Sequence, residues 1–408
     1  MAVFKILSLD GGGSWALIQI RALMDLYGEN ATGHQVLSRF DLACANSGGT
    51  LTLAGLILDW PLSKALDVLR DPAQRKSIFV RSSFFKDPVS HISNAFGFGS
   101  KYDTGAKYDG LRKLLGPTGD VAVTQLDPKL PQGSAGQTVR VLLCGFDYDR
   151  NREVFFRSDA ASLSSSAGPA GPGATLAQAI HASTNAPINY FDEPALGPVA
   201  NGVPSRFWDG AVGGYNNPLM AGLVETLANA GRYNTDAASI RVLTIGTGNV
   251  VLPLAQGMPG ENGVYMSPRP RSNLKDDVIK LASSILDDPP DAATFHAHVM
   301  LGCPMPTAGT ALPINDRVLR LNPLIQPVLI NGTTWDFPPG LSSDAFKAIR
   351  DLEMDAVEQA DVDRIDAFCT LWLNGAVPNQ PIRANGRTLQ PEIGYARYPR
   401  QATLNLFP

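Results

Sequence analysis

At 408 residues the chain is longer than a typical single domain and suits one large α/β unit with insertions. A hydrophobic share of 44% is that of a globular chain, and a formal net charge of −4 with both signs interspersed argues against nucleic acid as a main partner. The four cysteines, Cys44, Cys144, Cys303 and Cys369, form no C-x-x-C pair and read as small core residues in a reducing compartment. With no basic leader, no apolar h-region and no stretch long enough to span a bilayer, the expectation is a soluble, cytoplasmic protein, export without a cleaved signal being the alternative.

In chain order, Val3–Leu9 alternates and is rich in β-formers, which predicts a first strand. Asp10-Gly11-Gly12-Gly13 follows, then Ser14–Tyr27 with apolar residues at helical spacing. Glycines between a strand and a helix leave backbone N–H groups aimed at one spot near the positive end of the helix dipole. Such a loop suits a phosphate or the oxyanion of an acyl-transfer intermediate, or is simply a tight turn. It is not a Walker loop, for no Gly-Lys-Ser/Thr follows, and a dinucleotide fingerprint would need glycine at Ala16.

Phe40–Ala45 reads as a buried strand and Leu51–Leu58 as a helix apolar on nearly every face. Between them lies Asn46-Ser47-Gly48-Gly49. A strand turning sharply into a buried helix projects its corner side chain from the end of the sheet, and small residues at Ala45 and Gly49 let the backbone make that corner. The stretch is therefore either a nucleophile elbow with Ser47 at its tip or a helix start capped by Ser47.

Trp60–Leu69 reads as a helix with Pro61 in its first turn. From Arg81 to Lys101 the aromatics Phe84, Phe85, Phe96 and Phe98 sit among Ser, Gly and Lys without a period, a segment that packs, roofs a cavity or meets a lipid surface. Lys107–Leu115 predicts a short helix, Gly116–Gln137 a loop, and Thr138–Tyr148 with Glu153–Phe156 a strand pair; Ser158–Gly173 is low-complexity. Ala174–Ser183 reads as helix and Arg206–Trp208 as a short strand ending in Asp209-Gly210-Ala211, which leaves a carboxylate at the sheet edge or forms an Asx-turn. A helix at Leu219–Asn229, a buried strand at Ile240–Gly248, helices at Asn273–Leu286 and Ala292–Leu301, and a late strand at Arg317–Leu321 follow. His296 and His298, two apart, face different sides of a helix and make no metal site. Ser343–Glu358 and Val362–Leu373 predict amphipathic helices before a polar, Pro-interrupted tail.

Strand–DGGG–helix, strand–A-N-S-G-G–helix and strand–DGA, in that order, resemble the three motifs of the patatin-like phospholipases. Ala179–Pro187 resembles that family's A-I-x-A-S/T-x-A-A-P segment, Asp209–Pro218 its D-G-G/A-x-x-x-N-N-P, and Thr244–Gly248 its S-L-G-T-G. The resemblance implies a three-layer α/β/α fold with a largely parallel central sheet. It further implies a hydrolase unit over residues 1–375 and a tail over 376–408, packed on that unit or trailing from it.

The resemblance also implies a Ser–Asp dyad of Ser47 as nucleophile and Asp209 as general base. Gly11, Gly12 and Gly13 would hold the oxyanion, Gly48 could add a donor, and no cofactor or metal takes part. The chemistry is coherent, since serine needs a base within hydrogen-bond reach, and none of the five histidines follows the elbow at a strand end. His181 comes closest, yet in the family that position is not the base. The implied substrate is a membrane phospholipid or another acyl-ester lipid, reached by peripheral membrane contact. A regulated effector lipase awaiting an activator and a non-catalytic lipid-binding protein are the alternatives. Three departures stand out: Ala45 where the family has glycine, Asn46 within the elbow, and Trp15-Ala16 where it carries a basic residue and glycine. The last leaves phosphate-headgroup preference open.

Overall fold

Strand β1 (Phe4–Leu9) sends Phe4 and Ile6 into the core on one face of a sheet and Leu7 and Leu9 into the core on the other, the period of two that a strand buried on both faces requires. In this computed structural model residues 3–78, 101–159, 173–187, 190–200, 202–252, 265–266, 273, 277, 290–304, 317–330, 334–385 and 388–408 are described. The aromatic stretch from Phe84 to Phe98 and nearly all of the segments Ser158–Gly173 and Asn273–Leu286 lie outside them.

Around β1 an eight-stranded sheet assembles from β2 (Leu42–Ala45), β3 (Arg140–Asp147), β4 (Arg152–Arg157), β5 (Ala195–Ala200), β6 (Val203–Asp209) and β7 (Ile240–Ile245). Beyond a two-residue β8 (Asn249–Val250), which pairs with β10 (Leu324–Ile325), β9 (Val318–Leu321) completes it. The order is β5-β6-β3-β2-β1-β7-β9, with β4 on β3. Strands β3, β2, β1, β7 and β9 run parallel, and their register sets Leu143, Ala45, Leu9, Ile245 and Leu321 level. The loops that follow Ala45, Leu9, Ile245 and Leu321 therefore leave from one edge, where open parallel sheets bind ligands, while β3 runs on to Asp147. β4, β5 and β6 join antiparallel.

Helices cover both faces, giving a three-layer α/β/α arrangement. On one side lie α1 (Leu17–Tyr27), α2 (Gly33–Leu37), α3 (Gly48–Ile57), α4 (Leu62–Arg70), α5 (Pro72–Ile78), α6 (Thr104–Leu115) and α7 (Leu176–Ser183). On the other lie α8 (Leu219–Ala228) and the helical turns of 290–300, whose Leu219, Leu223, Ala297 and Leu301 pack on Ile6, Cys44 and Val242. The first side continues with α9 (Ser343–Arg350), α10 (Gln359–Leu373) and α11 (Arg400–Leu406). No helix among the described residues is long and apolar enough to cross a membrane. All four cysteines are buried, and none forms a disulfide.

Several boundaries differ from those the sequence predicts. The helix expected over Ser343–Glu358 stops at Arg350, and residues 351–358 form turns, because the Glu353 and Met354 carbonyls bond Trp15 Nε1 and Ser14 N of the glycine loop. The helix predicted from Lys107 starts three residues earlier, where Asp103 accepts the Ala106 N–H at 2.7 Å as N-cap. β5, with Gly197 and Pro198 inside it, has no strand signature and forms by pairing with a β6 longer than Arg206–Trp208. Residues 116–130 wind into short 3-10 turns. The last residues form a hairpin of Ile382–Asn385 and Thr388–Ile393 and then α11, after which Phe407 is buried and stacks on Phe40 with ring centroids 5.6 Å apart.

Candidate active site

β2 ends at Ala45, and two residues later Ser47 takes φ 47° and ψ −126° before α3 begins at Gly48. A non-glycine residue with such a backbone costs on the order of 1–3 kcal/mol and persists only where its surroundings enforce it. They do so by close approach. A Cβ on Gly48 would lie 2.5 Å from Gly13 O, and one on Gly49 would overlap Leu9 O. Ser47 stands at the N-cap position of α3, yet its side chain makes no capping hydrogen bond, so the corner is an elbow and not a capped helix start.

β6 delivers Asp209 to the same place. One edge of β3 is taken by β4 from Leu142 to Asp147, and the other is shared. β2 pairs along it from Arg140 to Leu143, and β6, running the opposite way, from Gly145 to Asp147. The C-terminal ends of β2 and β6 thus meet head to head, with Ala45 opposite Leu143 and Asp209 opposite Gly145.

Asp209 is buried there, and one of its oxygens accepts Asn46 Nδ2 and the Ala211 N–H, each at 2.9 Å. Burial pushes this carboxyl group above its ordinary range, opposed by the Ala211 N–H, the Ser47 hydroxyl, the Asn46 amide and the nearby Lys107 cation. Ser183 at the end of α7 ties the two turns together: its hydroxyl accepts the Ser47 N–H at 3.1 Å and donates to Asn46 Oδ1 at 3.3 Å.

Of the glycines after β1, Gly12 and Gly13 have N–H groups without a partner among the described residues, as does Gly48. Gly11, counted with the oxyanion donors in the sequence, is the exception, because its N–H bonds Asn216 O at 2.8 Å and anchors the loop instead. The loop is held from below by Asp10, whose carboxylate pairs with Arg320 at 2.6 Å, both side chains buried. The Thr247 hydroxyl donates to Gly11 O at 2.7 Å.

Above Ser47 the free space is small, about 30 Å³, room for a water or two, between Gly13, Leu51, Lys107, Phe191 and Met354. A larger cavity of about 400 Å³ lies beside Asp10, Trp15, Thr247 and Arg320, and Ser47 is not among its walls. Lys101 pairs with Glu353 and Asp355, and Tyr102 donates to Asp355 at 2.6 Å, so the turn carrying Met354 is tied to residues 101–102.

His181 is buried with its ring on Tyr108, and no hydrogen bond joins it to Ser47 or Asp209; burial and Lys107 push it well below its ordinary value. No group of three His, Cys, Asp or Glu that could hold a metal ion occurs among the described residues. Sequence reasoning missed Asn46, Ser183 and Lys107 as parts of the site. Asn46 and Ser183 stood inside the quoted motifs, whereas nothing local marks Lys107.

A family model described as patatin-like phospholipase matches residues 7–223, more than half of the chain and a span that holds the glycine loop, Ser47 and Asp209. Among solved structures, VipD from Legionella pneumophila is similar at 11% identity over 91% of this chain and 67% of that one, with a TM-score of 0.34, a likeness too low to carry an argument. No curated protein matches.

Proposed function

The chain belongs to the patatin-like phospholipase family, and from that premise we propose that it is a serine acyl-ester hydrolase of the phospholipase A or lysophospholipase type. Ser47 is the nucleophile and Asp209 the general base. The observation that carries this reading is the meeting of Ser47, at the tip of a strained elbow, with the buried Asp209 carboxylate, joined through Asn46 next to the serine, whose Nδ2 donates to Asp209 Oδ1 at 2.9 Å. As Ser47 Oγ bonds the ester carbonyl carbon, Asp209 takes the hydroxyl proton, and the N–H groups of Gly12, Gly13 and Gly48 meet the charge growing on the carbonyl oxygen. The carbon–oxygen bond to the alcohol breaks, the proton passes from Asp209 to the leaving oxygen, and an acyl-serine remains. Water, deprotonated by Asp209, then attacks that ester; the bond to Ser47 Oγ breaks, the proton passes from Asp209 to Oγ, and the fatty acid leaves.

The substrate class is a membrane phospholipid or another acyl-ester lipid met at a bilayer surface. We take residues 1–375 as the hydrolase unit, with 376–408 packed on it through Phe407. The test is incubation of the purified protein with a mixed lipid extract and mass spectrometry of released fatty acids and lysolipids. Release no greater than from Ser47→Ala, whatever the lipid, overturns the assignment.

One observation favours a regulated form of this enzyme. About 30 Å³ above Ser47 holds no acyl chain, and the Met354 turn closing that space is fastened through Lys101 and Tyr102. A lipid enters only after the turn or its neighbours move, as an activator or membrane contact would bring about. Turnover of long-chain lipid that rises on adding vesicles, with short-chain ester turnover constant, supports this second reading.

A further inference from the structure

Among the described residues Lys107 is the one buried cation against the Ser47 space, and the scheme above does not use it. It lies in α6 with none of its surface exposed, and lysine is almost never fully buried unless paired. Its Nζ donates to Asn185 Oδ1 at 2.7 Å, His181 O at 3.1 Å and Thr184 Oγ1 at 3.3 Å, and lies 4.0 Å from the centre of the Phe191 ring. Three acceptors match the three donors of an ammonium, which has no acceptor of its own, so no N–H remains for a lipid headgroup. Asn185 continues the chain of contacts, since its backbone carbonyl accepts the Asp209 N–H at 3.0 Å.

We propose that Lys107 is a positioning residue of the Ser47–Asp209 pair. Through Asn185 it fixes the strand end that carries Asp209, and it supplies the buried positive charge facing that carboxylate. The inference rests on the dyad reading above and deepens it. The family usually carries a basic residue after the glycine loop; here Trp15 stands at that position, and a buried cation comes from α6 instead.

The electrostatics agree in direction. Burial pushes Lys107 well down, and Asp209, then Asp192, push it back up, while Lys107 is among the groups that draw Asp209 down. The other titratable groups facing the pair are His181 from α7, held well down, Cys144 from β3, held well up, Tyr190 across the space, pushed up by burial, and Asp355 beside it. Of these, His181 is also pushed down by Lys107 and is released in the neutral variants, though no hydrogen bond joins it to Ser47 or Asp209; Lys107 is not among the causes acting on Cys144 and Tyr190.

The experiment is the pH dependence of covalent labelling of Ser47 by a fluorophosphonate. In that reaction Ser47 Oγ bonds phosphorus, fluoride leaves and Asp209 takes the proton, so no lipid substrate is needed. Labelling rises as Asp209 ionises. Without the cation the carboxyl holds its proton longer, and the acid limb in Lys107→Met and Lys107→Gln is expected to move to higher pH by about one unit, an opposite charge nearby being worth roughly 1–3 units to a carboxylate. At the pH of the wild-type midpoint the labelling rate then falls by about fivefold. Lys107→Arg, which keeps the charge, should leave the limb in place while slowing the plateau. A limb that does not move in a folded Met or Gln variant overturns the proposal. So does failure of both neutral variants to fold while the Arg variant folds and labels normally, because Lys107 is then a structural cation only. Labelling that is normal in the wild type without any lipid turnover would fail the lipid assignment and leave this inference standing; no wild-type labelling would overturn both.

Discussion

Asn46 Nδ2 donates to Asp209 Oδ1 at 2.9 Å across 163 residues of sequence, joining the elbow that carries Ser47 to the strand end that carries the carboxylate. The bond fixes which way the carboxylate points at the serine next to Asn46. It also hides the amide of Asn46, which is fully buried with its oxygen accepting Ser183 Oγ–H.

Asn46→Ala is therefore expected to lower kcat on a short soluble ester by about 10- to 100-fold, the loss of one hydrogen bond to a charged group being worth roughly 1.5–3 kcal/mol. KM should change little. Steady-state kinetics check this, and a large rise in KM with kcat intact would assign Asn46 to substrate binding.

Ser47→Ala and Asp209→Asn should each cut hydrolysis by about a thousandfold or more, and the double variant should be little worse than either, because the two act as one unit. The counter-experiment is His181→Ala. If it abolished turnover while Asp209→Asn kept it, a histidine base would replace the carboxylate.

Burial raises the Asp209 carboxyl in the folded chain. The folded state thus binds a proton more tightly than the unfolded one, and this group stabilises the fold less as pH rises from the ordinary aspartate value of 3.8 through the folded value. Asp209→Asn, which mimics the neutral acid, should melt at a higher temperature than the wild type at pH 7. The gap should close below the ordinary aspartate range. Thermal melts across pH measure both, and a lower melting temperature for Asp209→Asn at pH 7 would count against the sign.

Phe407, 1% exposed and stacked on Phe40, pins α11 and the chain end to the first layer. Phe407→Ala should destabilise the protein by about 3 kcal/mol. Fluorophosphonate labelling of Ser47 in the folded fraction should continue, as Phe407 does not line the space above the serine. Denaturant melts report the first, labelling the second.

Much of the sheet was legible because β1, β2 and β7 are short runs of apolar and β-forming residues, interrupted only by Lys5, Ser8, Arg241 and Thr244, and followed by glycine or small polar turns, a local signature of buried parallel strands. That Ser47 and Asp209 stand at strand ends was legible for the same reason. What escaped was set by distant partners. β5 exists because β6 offers it hydrogen bonds, not because Ala-Leu-Gly-Pro-Val-Ala favours a strand. The amphipathic run from Ser343 breaks at Asp351 because residues 353 and 354 find better acceptor work against the glycine loop. Lys107 looks like any exposed helix lysine until α7 ends beside it, and His181 with Thr184 and Asn185 just beyond the helix supply three oxygens. Register, too, is absent from a linear reading, and with it the meeting of β2 and β6 on β3.

That abutment makes β3 a ruler. The separation of nucleophile and base is counted in residues of one strand, so it changes only in whole steps: a slip of β6 by one position would displace Asp209 by about 3.3 Å and turn its side chain to the opposite face of the sheet. Loop length between Ser47 and β3, or between β3 and β6, does not enter the count. The chain should accordingly tolerate insertions, or even a cut with both fragments co-expressed, in the surface turn at Asp149–Asn151, and still assemble a serine and a carboxylate at the same spacing.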